Sequence, residues 1–297
     1  MMFKNITIAG AGTLGSQIAF QTALCDFNVR IWNPHPDRAK RRLAALRPFY
    51  KKDMGLTDEQ FDKAMSNILS ITNDWEIPFK DCDYLIESVP ESLNVKANFY
   101  HNVCPHLPEK TIIASNSSTM VPSQLVNYVD RPDKFLHMHF ANHIWTNNTA
   151  EIVGTDKTKP EVIEEVIEFA KAIKMLPVHL QKEQHGYIMN ALSVPFLNAA
   201  LELWANGVAD PITIDKDWMN STGCPFGPFM SMDMVGIRTV YAIFAQQART
   251  PEELKVAKTM KDMIDAGHYG IEAGQGFYKY PNPAFQRADF LTSIEAR

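Results

Sequence analysis

The sequence predicts an α/β fold, a doubly wound and mainly parallel sheet, followed by an all-α second domain. Three observations lead there. Short β-rich runs alternate with helical periods as far as Gln184, which is how βαβ units read. Beyond Gln184 helical periodicity continues with almost no strand signal. A glycine string joins the first strand to the first helix. The domain boundary is therefore placed to give residues 1–184 and 185–297.

In chain order the strand candidates are 5–9, 27–32, 67–71, 84–89, 111–115, 134–139, 150–153 and 176–180, rich in β-branched and aromatic residues. Helical periods between them cover 16–25, 36–52, 94–103 and 160–173. The second domain reads as helices over 186–209, 212–219, 229–247 and 251–266. Pro195 has no N–H for the carbonyl of Ala191 and is expected to kink the first of these.

A chain of 297 residues can bury two cores, and 45% hydrophobic with 21% charged residues is an ordinary globular balance. The net charge of −5 argues against nucleic acid or an anionic membrane as partner. The longest apolar stretch, 191–204, is interrupted by Asn198 and Glu202 and falls short of the roughly 20 residues a membrane span needs. A strand starting at Phe3 leaves no room for a leader peptide, so a cytoplasmic protein is expected. Cys25, Cys82, Cys104 and Cys224 form no C-x-x-C pair, which points to reduced thiols with neither disulfide nor structural metal.

Gly10-Ala-Gly12-Thr13-Leu14-Gly15 is a complete G-x-G-x-x-G, and its context makes it informative. It directly follows an apolar strand, opens a helix, and has a second strand ending near Asn33. Gly10 permits the tight turn, Gly12 lets a pyrophosphate approach the backbone, and Gly15 allows helix to pack on strand. The free N–H groups at the helix start favour the anion. The first domain is therefore read as Rossmann-type and dinucleotide-binding. Asn33 stands where an Asp or Glu would hold the adenosine 2′-hydroxyl of NAD. An amide can bond that hydroxyl but does not repel a 2′-phosphate, and His35 or Arg38 could neutralise one, so NAD is expected with NADP left open.

His139 ends one strand candidate and Glu151 lies in the next, with a polar connection, 142–148, centred on Trp145. If the two strands pair as a hairpin, the side chains oppose each other within about 5 Å. A carboxylate there fixes the imidazole tautomer and raises the basicity of the other nitrogen, as a base acting on an alcohol requires. A backbone-satisfied strand histidine is the plain alternative. A metal site from His137, His139 and Glu151 lacks an evident further ligand.

Several segments, in order, resemble the short-chain L-3-hydroxyacyl-CoA dehydrogenases. They are 10–15, Glu91-Ser-Leu-Asn-Val-Lys96, Ser115-Asn-Ser-Ser-Thr119, His139-Phe-Ala-Asn142, Glu151-Ile-Val153, Gly186-Tyr-Ile-Met-Asn190, 223–229 and 274–280. The resemblance implies an NAD-dependent oxidoreductase of fatty acid metabolism that transfers hydride from the C3 hydroxyl of an acyl-CoA and works as a homodimer. By position it implies His139 as general base and Glu151 as its partner. Ser118 and Asn190 would then bond the reacting oxygen or thioester carbonyl, and Glu91, Lys96 and Asn116 would stand at the cofactor. The plain alternatives are a helix N-cap for Ser118, an ordinary helix position for Asn190 and a solvated lysine for Lys96. The basic run from Arg38 to Lys52 is either a docking surface for CoA phosphates or a solvated helix face. The chain departs from the family at 143–148, where Asn142 is followed by histidine instead of proline. Relatives of this architecture that oxidise gulonate or carnitine keep open a polar substrate without CoA. A non-catalytic dinucleotide-binding protein is the reading from another class.

Overall fold

A computed structural model describes residues 3–292, and the chain divides into two compact units, Met1–Ile188 and Met189–Arg297. The first unit contains strands β1 (Asn5–Ala9), β2 (Asn28–Trp32), β3 (Ile68–Thr72), β4 (Tyr84–Glu87), β5 (Ile112–Ser115), β6 (Phe135–Phe140), β7 (Thr149–Gly154) and β8 (Leu176–His179). They form one sheet in the order β3-β2-β1-β4-β5-β6-β7-β8. Every neighbouring pair is parallel except β6 and β7. The expected α/β class is what the structure has.

The inner strands are mostly apolar because both faces of the sheet are covered, and the polar residues Glu87, His139 and Glu151 stand out within them. Successive residues feed alternate cores: Tyr84 and Ile86 join one buried cluster, Leu85 the other, and Ile112 and Ala114 alternate with Ile113 in the same way. The helices that cover the sheet are α1 (Thr13–Leu24), α2 (Pro36–Ala44), α3 (Arg47–Met54), α4 (Asp58–Ser66), α5 (Leu93–Val103), α6 (Pro122–Leu125) and α7 (Pro160–Ala172).

Two expectations for this unit need correction. The single helix over 36–52 is two, because the ring of Pro48 would collide with the carbonyl of Ala44, where α2 ends. Helix α4 was not anticipated. It is mostly polar and buries only Phe61 and Ala64, but a capping box announces it: Thr57 Oγ1 accepts from Gln60 N at 3.2 Å while Gln60 Oε1 accepts from Thr57 N at 2.9 Å.

The second unit is helical: α8 (Met189–Ala205), α9 (Pro211–Thr222), α10 (Pro228–Val235), α11 (Ile237–Gln247) and α12 (Pro251–Asp265). Its core gathers Leu201, Phe229, Met232, Ile237, Met260 and Phe290. The helix expected over 186–209 starts only at Met189, because Gly186 and Tyr187 take left-handed φ values of 76° and 54°. The helix expected over 229–247 is interrupted at Gly236, with φ 92°. Pro195 lies inside α8. No helix among the described residues is long and apolar enough to cross a membrane.

Candidate active site

In a doubly wound sheet the ligand crevice opens at the carboxyl ends of strands whose connections run to opposite sides, here β1 and β4. The loops leaving these two strands touch. A Cβ on Gly10 would lie 2.4 Å from the carbonyl oxygen of Ser88, and one on Gly15 would lie 1.9 Å from that of Gly10. At Gly12 the only atom of the described residues within contact range is Arg42 Nη1, at 3.5 Å, so this glycine leaves open the approach that a pyrophosphate takes. The start of α1 has no side-chain cap and no acidic residue in its first turn, and Thr13 and Leu14 follow Gly12 directly. Uncapped N–H groups, a bare glycine and a nearby guanidinium suit a dinucleotide phosphate.

Asn33 directly follows β2, and both ends of its amide serve the loops. Oδ1 accepts from Ala11 N at 3.1 Å, and Nδ2 donates to the carbonyl of His35 at 2.8 Å. Arg42 Nη1 donates to the carbonyl of Ala11 at 3.2 Å. Neither interaction introduces a carboxylate.

The hairpin of β6 and β7 puts His139 directly opposite Glu151. Glu151 Oε2 lies 2.9 Å from His139 Nδ1, and both side chains are nearly buried. The Nδ1–H therefore donates to the carboxylate, which in the neutral ring leaves the lone pair on Nε2. Ser118 Oγ, 3.1 Å away, donates to that lone pair. Ser118 is not a helix cap: α6 begins at Pro122, with Val121 before it. His137 takes another partner, Tyr187 Oη at 2.9 Å, so the imidazoles on β6 do not converge. Among the described residues no group of three His, Cys, Asp or Glu side chains could hold a metal ion.

Lys96 is not a solvated lysine. It is 1% exposed, and Nζ bonds Glu87 Oε1 at 2.6 Å and Glu91 Oε2 at 3.2 Å. Glu91 Oε1 accepts from Ser117 Oγ at 2.5 Å, Ser118 N at 3.0 Å, and Thr119 N and Oγ1 at 2.9 and 2.8 Å. Burial works to raise the Glu91 carboxyl, but the Ser117 hydrogen bond, the Lys96 charge and the Thr119 contacts prevail and hold it at about 2. Glu91 and Lys96 thus clamp the turn that carries Ser118.

Glu87 was missed by sequence reasoning. It is fully buried at the end of β4 and accepts from Lys96, Val89 N, Tyr100 Oη at 2.8 Å and Ser115 Oγ at 2.7 Å. A charged residue inside the apolar run Tyr84–Val89 was the available signal. Asn116 links neighbouring loops: Nδ2 donates to Ser88 Oγ at 3.3 Å, and Oδ1 accepts from Phe140 N at 3.0 Å. Asn190 lies in the first turn of α8, in the second unit.

The connection 142–148 is not simply polar. Ile144 and Trp145 are buried, Trp145 Nε1 donates to Asp53 Oδ2 at 2.9 Å, and its ring packs on Tyr50 at 4.8 Å. Gln17 of α1 pins the loop start, donating to Asn142 Oδ1 at 2.7 Å and accepting from His143 N at 2.8 Å. The basic run is partly neutralised: Arg47 bonds Asp58 and Asp62, Lys51 bonds Asp58 at 2.7 Å, and Lys40 reaches Asp37 at 3.4 Å.

The chain matches the NAD-binding domain of 3-hydroxyacyl-CoA dehydrogenase over residues 5–184 and the C-terminal domain of the same enzymes over 186–280. It is 29% identical over 292 residues to the mitochondrial hydroxyacyl-coenzyme A dehydrogenase of Sus scrofa, covering 94% of this chain and 92% of that one. Among solved structures, a diketoreductase described as acting on dicarbonyl compounds has a TM-score of 0.89 at 47% identity, covering 94% of this chain and 100% of that one. The (S)-3-hydroxybutyryl-CoA dehydrogenase of Ralstonia eutropha has a TM-score of 0.77 at 26% identity, covering 94% and 99%.

Proposed function

The chain belongs to the 3-hydroxyacyl-CoA dehydrogenase family, and on that premise we propose that His139 is the general base of an NAD-dependent dehydrogenase acting at C3 of an L-3-hydroxyacyl-CoA. The observation that carries the reading is the orientation of one imidazole, with Nδ1 on Glu151 and Nε2 facing Ser118 Oγ.

The C3 hydroxyl would enter between Nε2 and Ser118 Oγ, and Nε2 would take its proton. The imidazolium so formed is stabilised by Glu151, whose hydrogen bond also keeps the tautomer correct. In the reductive direction the same nitrogen returns the proton. Ser118 orients the substrate oxygen, a task the family resemblance also gives to Asn190. Gly10, Gly12, Thr13, Leu14, Gly15, Asn33 and Asn116 would hold NAD, which would serve as the hydride acceptor. Glu91 is the member of the clamp able to meet the nicotinamide side, since Lys96 stands buried behind it. We also propose a homodimer formed through the second unit, where Leu192 and Leu203 of α8 are exposed apolar residues.

A second substrate reading has specific support: a CoA-free dicarbonyl or polar 3-hydroxy acid. The diketoreductase likeness favours it, and so does the loss of Arg47 and Lys51 to aspartates, which weakens the case for a CoA docking helix. Steady-state assays with acetoacetyl-CoA, with a CoA-free dicarbonyl ester, and with gulonate and carnitine, each with both nicotinamide cofactors, decide between them. Comparable kcat/KM for acetoacetyl-CoA and its CoA-free analogue would remove CoA from the substrate.

A further inference from the structure

We propose that Tyr187 is a positioning residue for His139, holding the imidazole in the plane in which Nδ1 meets Glu151 and Nε2 faces the substrate. The proposal rests on His139 being the base.

The two rings stack face to face, with centroids 4.4 Å apart and planes 7° from parallel. Tyr187 is 1% exposed, so its ring closes one face of the imidazole to water. A histidine ring can swing about χ2 at little cost, because that torsion is broad. Here Glu151 and Ser118 fix the two nitrogens only along the ring edge. The stacked phenol restrains tilt out of that plane, which edge contacts alone leave soft.

The phenol is itself locked at its far end. Its single hydroxyl hydrogen goes to the carbonyl of Ser117 at 2.5 Å. The oxygen must then accept from His137, 2.9 Å away, which makes His137 the Nδ1–H tautomer. Burial, with the Lys96 charge second, pushes His137 down to about 3 and keeps it neutral in that role. Ser117 adjoins Ser118, so Tyr187 is tied to the turn that faces Nε2.

The backbone supports the same assignment. Tyr187 has φ 54°, a region disfavoured for a residue with a Cβ, and it follows a left-handed Gly186. Such a conformation persists where the surroundings over-determine it. Tyr187 N donates to the carbonyl of Gln184 at 3.0 Å, and Ile188 N donates to Glu151 Oε1 at 2.9 Å. Glu151 therefore grips the imidazole with one oxygen and the turn carrying Tyr187 with the other. Its cross-strand partner and the ring above that partner are placed by one carboxylate.

The test compares Tyr187→Leu, Tyr187→Phe and His139→Gln in the full chain. Turnover is read with NADH and acetoacetyl-CoA or its CoA-free analogue. The His139 Hε1 resonance, identified by its loss in His139→Gln, is read by proton–carbon NMR without substrate. Tyr187→Phe is expected to keep the ring-current shift and to lose less turnover than Tyr187→Leu. Tyr187→Leu is expected to move Hε1 downfield and to lower kcat by about 10- to 100-fold with KM nearly unchanged, the size expected of a misplaced group. Wild-type kcat and an unmoved Hε1 in Tyr187→Leu, with His139→Gln inactive, overturn the positioning role alone. Should the leucine variant not fold, an unshifted Hε1 together with wild-type kcat in Tyr187→Phe supports stacking, and loss of the shift there refutes it. Full turnover by His139→Gln removes the base assignment, and the role of Tyr187 falls with it.

Discussion

Glu151 faces His139 across an antiparallel rung, with 2.9 Å between Oε2 and Nδ1. A carboxylate that accepts this hydrogen is expected to matter far more to turnover than to binding. Glu151→Gln presents an amide that can also donate, which permits the wrong tautomer. The expected outcome is a fall in kcat of about 10²-fold or more, with the NADH dissociation constant unchanged. Stopped-flow turnover and fluorescence titration check the two halves separately.

The two glycines of the first turn should separate folding from binding. Ala at position 10 would need φ 93° and would meet Ser88 O at 2.4 Å, so Gly10→Ala is expected to lower the melting temperature by several degrees. At position 12 the backbone is ordinary, with φ −69°, and an added Cβ would meet Arg42 Nη1 at 3.5 Å. Gly12→Ala should therefore keep wild-type stability while weakening NADH by about tenfold, or 1.4 kcal/mol. Thermal melts and equilibrium titration of both variants give the comparison.

Lys96 tests the buried clamp. Removing its ammonium leaves Glu87 with two hydroxyls and one N–H but no compensating charge. Breaking a buried ion pair costs about 3–5 kcal/mol, whereas replacing both partners often costs little. Lys96→Met is expected to lose stability on that scale in urea unfolding, and Lys96→Met with Glu87→Gln is expected to recover much of it.

The two units should respond to acid with opposite sign. His137 in the folded state sits at about 3, below its usual 6.5, chiefly because it is buried, so its contribution is full above 6.5 and is lost as pH falls toward 3. Asp215 is raised by burial to about 6 from 3.8, despite accepting from Phe229 N, Met230 N and Tyr278 Oη, so its contribution is full below 3.8 and is lost as pH rises to 6. Between pH 6 and 4 each group contributes up to about 1.4 kcal/mol per pH unit, in opposite directions. Hydrogen exchange corrected for intrinsic rates should show β6 losing protection on acidification while α9 and α10 gain it. His137→Phe should flatten the first trend and leave the second.

The eight strands were legible because a mainly parallel sheet covered on both faces makes its strands short runs rich in β-branched and aromatic residues, even where Glu87, His139 or Glu151 interrupts them. The hairpin register of His139 and Glu151 was legible because antiparallel pairing fixes which residues oppose each other once the connection is counted. Helix ends were less so. Pro48 and Gly236 each interrupt a continuous helical period, and periodicity alone does not register a single steric clash or a single left-handed residue. Helix α4 buries too little for periodicity to show, and its signal was its cap. The buried cluster around Glu87 depends on Lys96, Tyr100 and Ser115, which come from separate elements and converge only in three dimensions. Burial of Trp145 likewise depended on a partner, Asp53, far away in sequence.

The most direct test of the chemistry assigned to His139 is the single-turnover rate of NADH oxidation by His139→Gln, using whichever 3-oxo substrate the native protein reduces, with NADH affinity measured on the same sample. The expected result is a rate lower by about 10³-fold, within the range lost when a proton-transfer group is removed, with NADH bound as tightly as before. A rate within tenfold of the native protein, at unchanged affinity, would contradict the assignment of the imidazole as base.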